Sequence, residues 1–132
     1  MELTEHKAGN HHVVREVSAE TIRIDQTTYK RSLILGARYL ETDWPVFSLA
    51  DLDETTLTPL LEPKPELVVI GVGQVHQILD IEIQRTFIQH GIGIECMTVP
   101  AAARTFNILM SENRRALTAF ILPKRRPTHG DP

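Results

Sequence analysis

Two sets of residues in this chain have types and spacings that could do chemistry. The first is Gly71-Val72-Gly73, which closes a nearly all-aliphatic run from Glu66 to Val72. Glycines at the end of a buried strand let the backbone turn tightly and let a ligand approach main-chain N–H groups, so this loop could cradle an anion. It is not a dinucleotide fingerprint, because His76 stands where the last glycine or alanine is needed, and it lacks the Gly-Lys-Ser/Thr of a phosphate-binding loop. The competing reading is a plain strand-to-loop turn. The second set is Thr98, Arg104, Thr105 and Asn107. Thr98 is suited to cap a helix whose first turn offers unpaired N–H groups and a positive dipole end, where Arg104 would help to hold a carboxylate or phosphate. Arg104 and Asn107 share a helix face. Equally, Arg104 could pair structurally with Glu95 or Glu112, and Asn107 could satisfy a nearby backbone group. In a sheet with parallel strands both sets follow the carboxyl ends of their strands, where open α/β sheets bind ligands. Gly71, Gly73, Thr98, Arg104 and Asn107 are therefore expected to border one crevice for a small anionic ligand.

The other reactive groups carry weaker signals. Cys96 lies in an apolar run between Glu95 and Met97, where a thiol behaves as a small hydrophobe, so pairing it with His76 or His90 as a nucleophile has little support. His6, His11 and His12 lack a completing carboxylate pattern, so a mobile polar N-terminus is expected there and no metal site. Ser18, Ser32, Ser48 and Ser111 stand outside any Gly-x-Ser-x-Gly elbow. No acid–base pair emerges, no cofactor is expected, and an enzyme is the less favoured reading.

The elements that would position these residues can be read from periodicity. Val13 to Val17, Thr21 to Ile24 and Thr28 to Leu35 favour strands, with Asp25-Gln26 as a hairpin connection, which predicts an antiparallel opening. Pro45 biases Trp44 toward an extended conformation within a bend, and leucines between Ser48 and Glu62 suggest a short helix over 53–61 despite Pro59. Glu66 to Val72 reads as a strand covered on both faces. Leu79, Ile83 and Phe87 recur at helical spacing, with Asp80 and Glu82 at the start and Gly91 placed for a left-handed stop on which Ile92 packs back. A strand over 92–97, a helix over 99–113 starting at Thr98 and Pro100, and a strand over 115–122 complete an α/β pattern.

Composition narrows the classes. The chain has 132 residues, 42% of them hydrophobic and 23% charged, values that suit one packed domain over residues 1–122. Residues 123–132 hold Lys124, Arg125 and Arg126 among prolines and read as a disordered basic tail, which leaves the body acidic. An acidic body with seven aromatic residues opposes nucleic-acid binding. A single cysteine allows no intrachain disulfide and suits a reducing compartment. No stretch resembles a signal peptide or membrane span, so a cytoplasmic location is expected.

The run Ala101-Ala-Ala-Arg104-Thr-Phe106-Asn107-Ile-Leu109, followed by Glu112 and Arg114, resembles a family of small, largely uncharacterised bacterial α/β proteins related to the mitochondrial respiratory complex I assembly factor three. Further matches are Tyr29 with Ser32-Leu33-Ile34, Trp44, Pro65-Glu66, Ile70-Gly71-x-Gly73-Gln74 and Gly91-Ile92-x-x-Glu95-x-Met97, so the resemblance runs from about Leu3 to Leu122. Two positions depart from the pattern. Ala103 stands where cysteine is often found, and Val72 where threonine is common, which removes a thiol and a hydroxyl from the candidate pocket. The resemblance implies a three-layer fold around a mixed sheet with the last strand antiparallel to its neighbours. It also implies protein partners, since the eukaryotic relatives work through protein contacts. Glu95, Glu112 and Arg114 are then the candidates for a structural ion-pair set.

Overall fold

A computed structural model of the chain describes residues 11–124, so His6 and most of the expected tail lie outside the described residues. Chain order begins with three short strands, β1 (Val14–Val17), β2 (Ile22–Ile24) and β3 (Thr27–Tyr29), which form a separate antiparallel sheet in the order β1-β2-β3. Asp25 makes the tight β2–β3 turn possible by adopting a left-handed conformation, φ 54°, which Asp tolerates because its short polar side chain bonds locally. Its carboxylate accepts from the His12 ring at 2.7 Å and the Val13 amide at 3.0 Å. The expectation of a mobile segment at His11 and His12 is therefore corrected: the His12 amide donates to the Ala37 carbonyl, and its ring holds the hairpin turn.

The second sheet contains β4 (Leu33–Leu35), β5 (Leu40–Glu41), β6 (Leu67–Val72), β7 (Gly93–Met97) and β8 (Ala116–Ile121), in the order β5-β4-β8-β6-β7. The predicted single run over 28–35 is thus two strands in two different sheets. Ser32 explains the break, since its buried hydroxyl donates to the Leu122 carbonyl and accepts from the Leu122 amide, anchoring β4 beside β8. The last strand also corrects the expectation. It is antiparallel to β4 but parallel to β6. The physical reason is the pair of crossover helices after β6 and β7, which return the chain to the same end of the sheet and so keep β6, β7 and β8 parallel.

The helices are α1 (Glu54–Leu61), α2 (Ile81–Gln89) and α3 (Val99–Ser111), preceded by a 3₁₀ turn at Leu49–Asp51. Asp53, Asp80 and Thr98 cap their N-termini. Gly91 (φ 72°) ends α2, with the Ile92 amide donating to the Phe87 carbonyl and the Gly91 amide to that of Ile88. This is the predicted Schellman stop, and Asn113 (φ 60°) repeats it at the end of α3.

Alternation along the central strands divides the core into two clusters, one on each face of the five-stranded sheet, so that the fold has three layers. Leu33, Leu35, Val69 and Phe120 face one side, where Phe106 and Met110 of α3 pack with Ile22 and Ile24 of the small sheet. Ile34, Val68, Ile70 and Ile121 face the other, under Leu57 and Leu60 of α1, Phe87 of α2 and Trp44. The Trp44 indole N–H donates to the Thr56 carbonyl at 2.8 Å, which ties the extended connection to α1.

Candidate functional site

The expected crevice is divided by packing. A Cβ on Gly71 would lie 2.5 Å from the Ala102 Cβ, so the missing side chain serves close approach of α3 to β6. Gly73 adopts φ 68°, and its carbonyl accepts from the Val99 amide at 2.9 Å, placing the β6 loop beside the start of α3. The Thr98 hydroxyl accepts from the Ala101 amide, a capping role. Thr105 donates to the sulfur of Met97. Asn107 spends its amide on the small sheet: Oδ1 accepts from the Val14 amide at 3.0 Å, and Nδ2 donates to the Val14 carbonyl at 2.9 Å. Arg104 and Asn107 share a shallow groove of about 250 Å³ with Val14 to Val17 of β1 and with Pro100, and neither glycine nor Thr98 lines it. The structure thus brings Gly71, Gly73 and Thr98 together as a packing junction and Arg104 with Asn107 at a separate groove.

The ion pairs also differ from the expected set. Arg114 pairs with Glu66 at 2.9 Å, and neither Glu95 nor Glu112 is its partner. Glu66 also accepts from the Arg115 amide at 3.1 Å, and these bonds, first that amide and then Arg114, hold its carboxyl below the ordinary glutamate range. Pro65-Glu66 sits where β6 begins beside β8, so proximity of strand starts, invisible to local spacing, selects the partner. Cys96 is free and half-buried, and burial pushes its thiol up, opposite to what a nucleophile needs. His76 and Cys96 border one shallow groove with Glu95, whereas the His90 ring bonds the Thr86 carbonyl. Among the described residues no three histidine, cysteine or carboxylate side chains gather to hold a metal ion.

Two features lie beyond these predicted sets. One is a cleft of about 350 Å³ between the end of α3, the start of β8, the β4–β5 turn and the Pro63–Pro65 connection. Among the described residues Arg38, Arg114, Arg115 and His11 line it together with Tyr39, Met110 and Leu117. Burial and then the charge of Glu41 raise the Tyr39 phenol above its ordinary value. The basic doublet Arg114-Arg115 after an Asn helix stop was a readable signal, but its convergence with His11 and Arg38 depends on tertiary structure. The other is an apolar surface. Val75, Ile78 and Ile81 are 75%, 83% and 60% exposed in and just after the loop following β6, and Ile88 continues the face of α2. Residues His76 to Leu79 border Ile94 to Cys96 of β7, which among the described residues pairs with β6 alone, so that its other edge is open. The signal for this surface was the aliphatic content of Val75 to Ile81 between two polar-capped elements.

Comparison with known proteins accords with this architecture. A human protein, NADH dehydrogenase (ubiquinone) 1 alpha subcomplex assembly factor 3, is 31% identical over 122 residues, covering 84% of this chain and 66% of its own. The chain spans about half to two thirds of the length of the assembly factors it matches. A 13 kDa major membrane protein of Francisella tularensis is 29% identical over 94 residues, 70% of this chain and 76% of its own. Among the described residues here, no helix is long and apolar enough to cross a membrane. The solution structure of a Xanthomonas campestris protein superposes with a TM-score of 0.80 at 30% identity, covering 90% of this chain and 92% of that one. The family profile described as Protein of unknown function (DUF498/DUF598) matches residues 14–121, spanning both sheets and all three helices, and the chain belongs to that family.

Proposed function

We propose that this protein is a non-catalytic interaction module of the assembly-factor kind, engaging an extended segment of a protein partner along the open edge of β7. The observation that carries the reading is the row Val75, Ile78 and Ile81, exposed beside an unpaired strand edge. Clustered exposed aliphatic side chains lose free energy to water unless covered, and an open edge offers unpaired N–H and C=O groups to an added strand. Charge favours a partner over a second copy. Glu95 is exposed at the middle of β7, so an antiparallel β7–β7 pair would set two carboxylates near each other, while a strand carrying lysine or arginine would complement them. The name of the human relative, an assembly factor, supports an assembly role. A cytoplasmic setting suits the free, half-buried Cys96.

Affinity purification under native conditions, run with wild type and with the Val75→Lys/Ile78→Lys double variant, tests the proposal. A partner recovered reproducibly with wild type and lost with the variant is the expected result. Equal recovery by both, or no reproducible partner, overturns it.

A further inference from the structure

A shallow groove of about 250 Å³ runs between β1, from Val14 to Val17, and one face of α3, where Pro100, Ala103, Arg104 and Asn107 recur at helical spacing. Its strand side is the free edge of the small sheet, since β1 pairs with β2 alone among the described residues. Hydrogen bonds fix which backbone groups turn into it. The Asp25 amide donates to the Val13 carbonyl and the Ser18 amide to the Thr21 carbonyl, so Val14 and Val17, opposite Ile24 and Ile22, form the non-hydrogen-bonded pairs of this ladder. Their own N–H and C=O groups therefore point away from β2, and the bulge between Val14 and Glu16 accounts for the three-residue spacing. Asn107 already takes both groups of Val14, as a residue of an added strand would. Among the described residues nothing takes those of Val17, and Arg104, one helical turn from Asn107, has no hydrogen bond or ion pair. The carboxylate that borders the groove, that of Glu16, lies 3.6 Å from the Arg23 Nε.

From this geometry we infer that the groove receives the carboxyl-terminal end of an extended peptide from a protein partner. Its last residues add to β1 by exchanging main-chain hydrogen bonds with Val17, and the terminal carboxylate lies on the Arg104 guanidinium. A chain end is required because Asn107 fills the next outward position on the strand edge, so an added strand must stop there. The end is the carboxyl one because the group beside that stop is an unpaired cation. The volume is below the roughly 300 Å³ at which small-molecule pockets begin, which suits one or two residues with small side chains against Pro100 and Ala103. This site lies on the small sheet and does not rest on the reading of the β7 edge.

The test uses the full chain with three probes: acetyl-glycyl-valyl-alanine with a free carboxylate, the same tripeptide as its carboxyl-terminal amide, and acetate as the bare anion. Titration with the acid should shift the Val17 amide and Arg104 Nε–H resonances and raise the melting temperature with concentration. The amide should bind at least about tenfold more weakly, the scale of a lost charge-assisted hydrogen bond, and Arg104→Gln should weaken the acid by the same factor and erase its advantage over the amide. Because Arg104 makes no hydrogen bond or ion pair among the described residues, that variant should melt like wild type without peptide. The Val75→Lys/Ile78→Lys variant should bind the tripeptide like wild type, so failure at the β7 edge and failure at this groove are read separately. No shift at Val17, equal binding of acid and amide, or undiminished binding by Arg104→Gln overturns the proposal. Acetate shifting Val17 as strongly as the tripeptide would mean an adventitious ion only and would overturn it too. Self-association of the free protein that Arg104→Gln abolishes would make the occupant a second copy, with the same consequence.

Discussion

Asn107 joins α3 to β1 through both of its amide functions. Removing them in Asn107→Ala leaves the Val14 N–H and C=O short of partners at a position that is itself buried, which is expected to cost about 2–3 kcal/mol; urea denaturation measures it. Arg104→Ala, beside it on α3 but without a hydrogen bond or ion pair among the described residues, should stay within about 0.5 kcal/mol. Thr118 poses the reverse case. Its hydroxyl is fully buried in β8 without a partner, so Thr118→Val is expected to stabilise the fold by about 1 kcal/mol, read as a raised denaturation midpoint. Asp25 governs part of the acid limb. Burial pushes its carboxyl up, but the bonds from His12 and Val13 and the charges of His12 and Arg15 together outweigh that and lower its pKa below 3.8. A lowered folded-state value contributes stability that is present above 3.8 and lost as pH falls through the folded-state value. Asp25→Asn should therefore destabilise the protein at neutral pH and flatten its loss of stability on acidification, as thermal melts between neutral pH and pH 3 would show. Residue types were legible in the sequence, and so was the face that Arg104 and Asn107 share. The partner of Asn107 was not, because Val14 is brought to it only when the small sheet folds onto α3.

Helix boundaries were the most legible elements. Thr98 caps as the sequence predicts, while Asp53 and Asp80, read as the opening residues of their helices, prove to be the caps, because capping is decided within four residues. The division of 28–35 between two sheets was not legible, since it depends on Ser32 meeting Leu122 from the far end of the chain. Gly71 shows the same limit from the other direction. Its position after an aliphatic run suggests ligand approach, but the neighbour that takes the space is the methyl of Ala102. Gly71→Ala is expected to push α3 away from β6 and destabilise by about 1–3 kcal/mol, the range for overpacking a close contact. Ala102→Gly removes the opposing methyl, so the double variant should recover part of the loss beyond the ordinary cost of glycine in a helix. A thermodynamic cycle on the four proteins measures that coupling, and additive losses would show that the contact does not limit the helix–strand distance.

At the scale of the whole molecule, the five-stranded sheet has two unlike edges. β5 contributes two residues and is a poor template, while β7 offers five and carries the exposed aliphatic loop beside it. In a parallel ladder alternate residues turn both N–H and C=O to the same side. The Gly93 amide donates to the Glu66 carbonyl, so Gly93, Glu95 and Met97 face β6, and Ile94 and Cys96 direct their backbone groups outward. Hydrogen exchange along this one strand should therefore alternate, with Ile94 and Cys96 exchanging much faster than Glu95 in the isolated protein. An added partner strand would slow Ile94 and Cys96 selectively. Ile94→Pro deletes an outward N–H while leaving the ladder to β6 intact, a substitution that edge strands tolerate, so it should abolish partner binding with little loss of fold. Uniformly slow exchange across 93–97 in the purified protein would mean that the edge is already covered by a second copy, and the partner would then have to dock elsewhere.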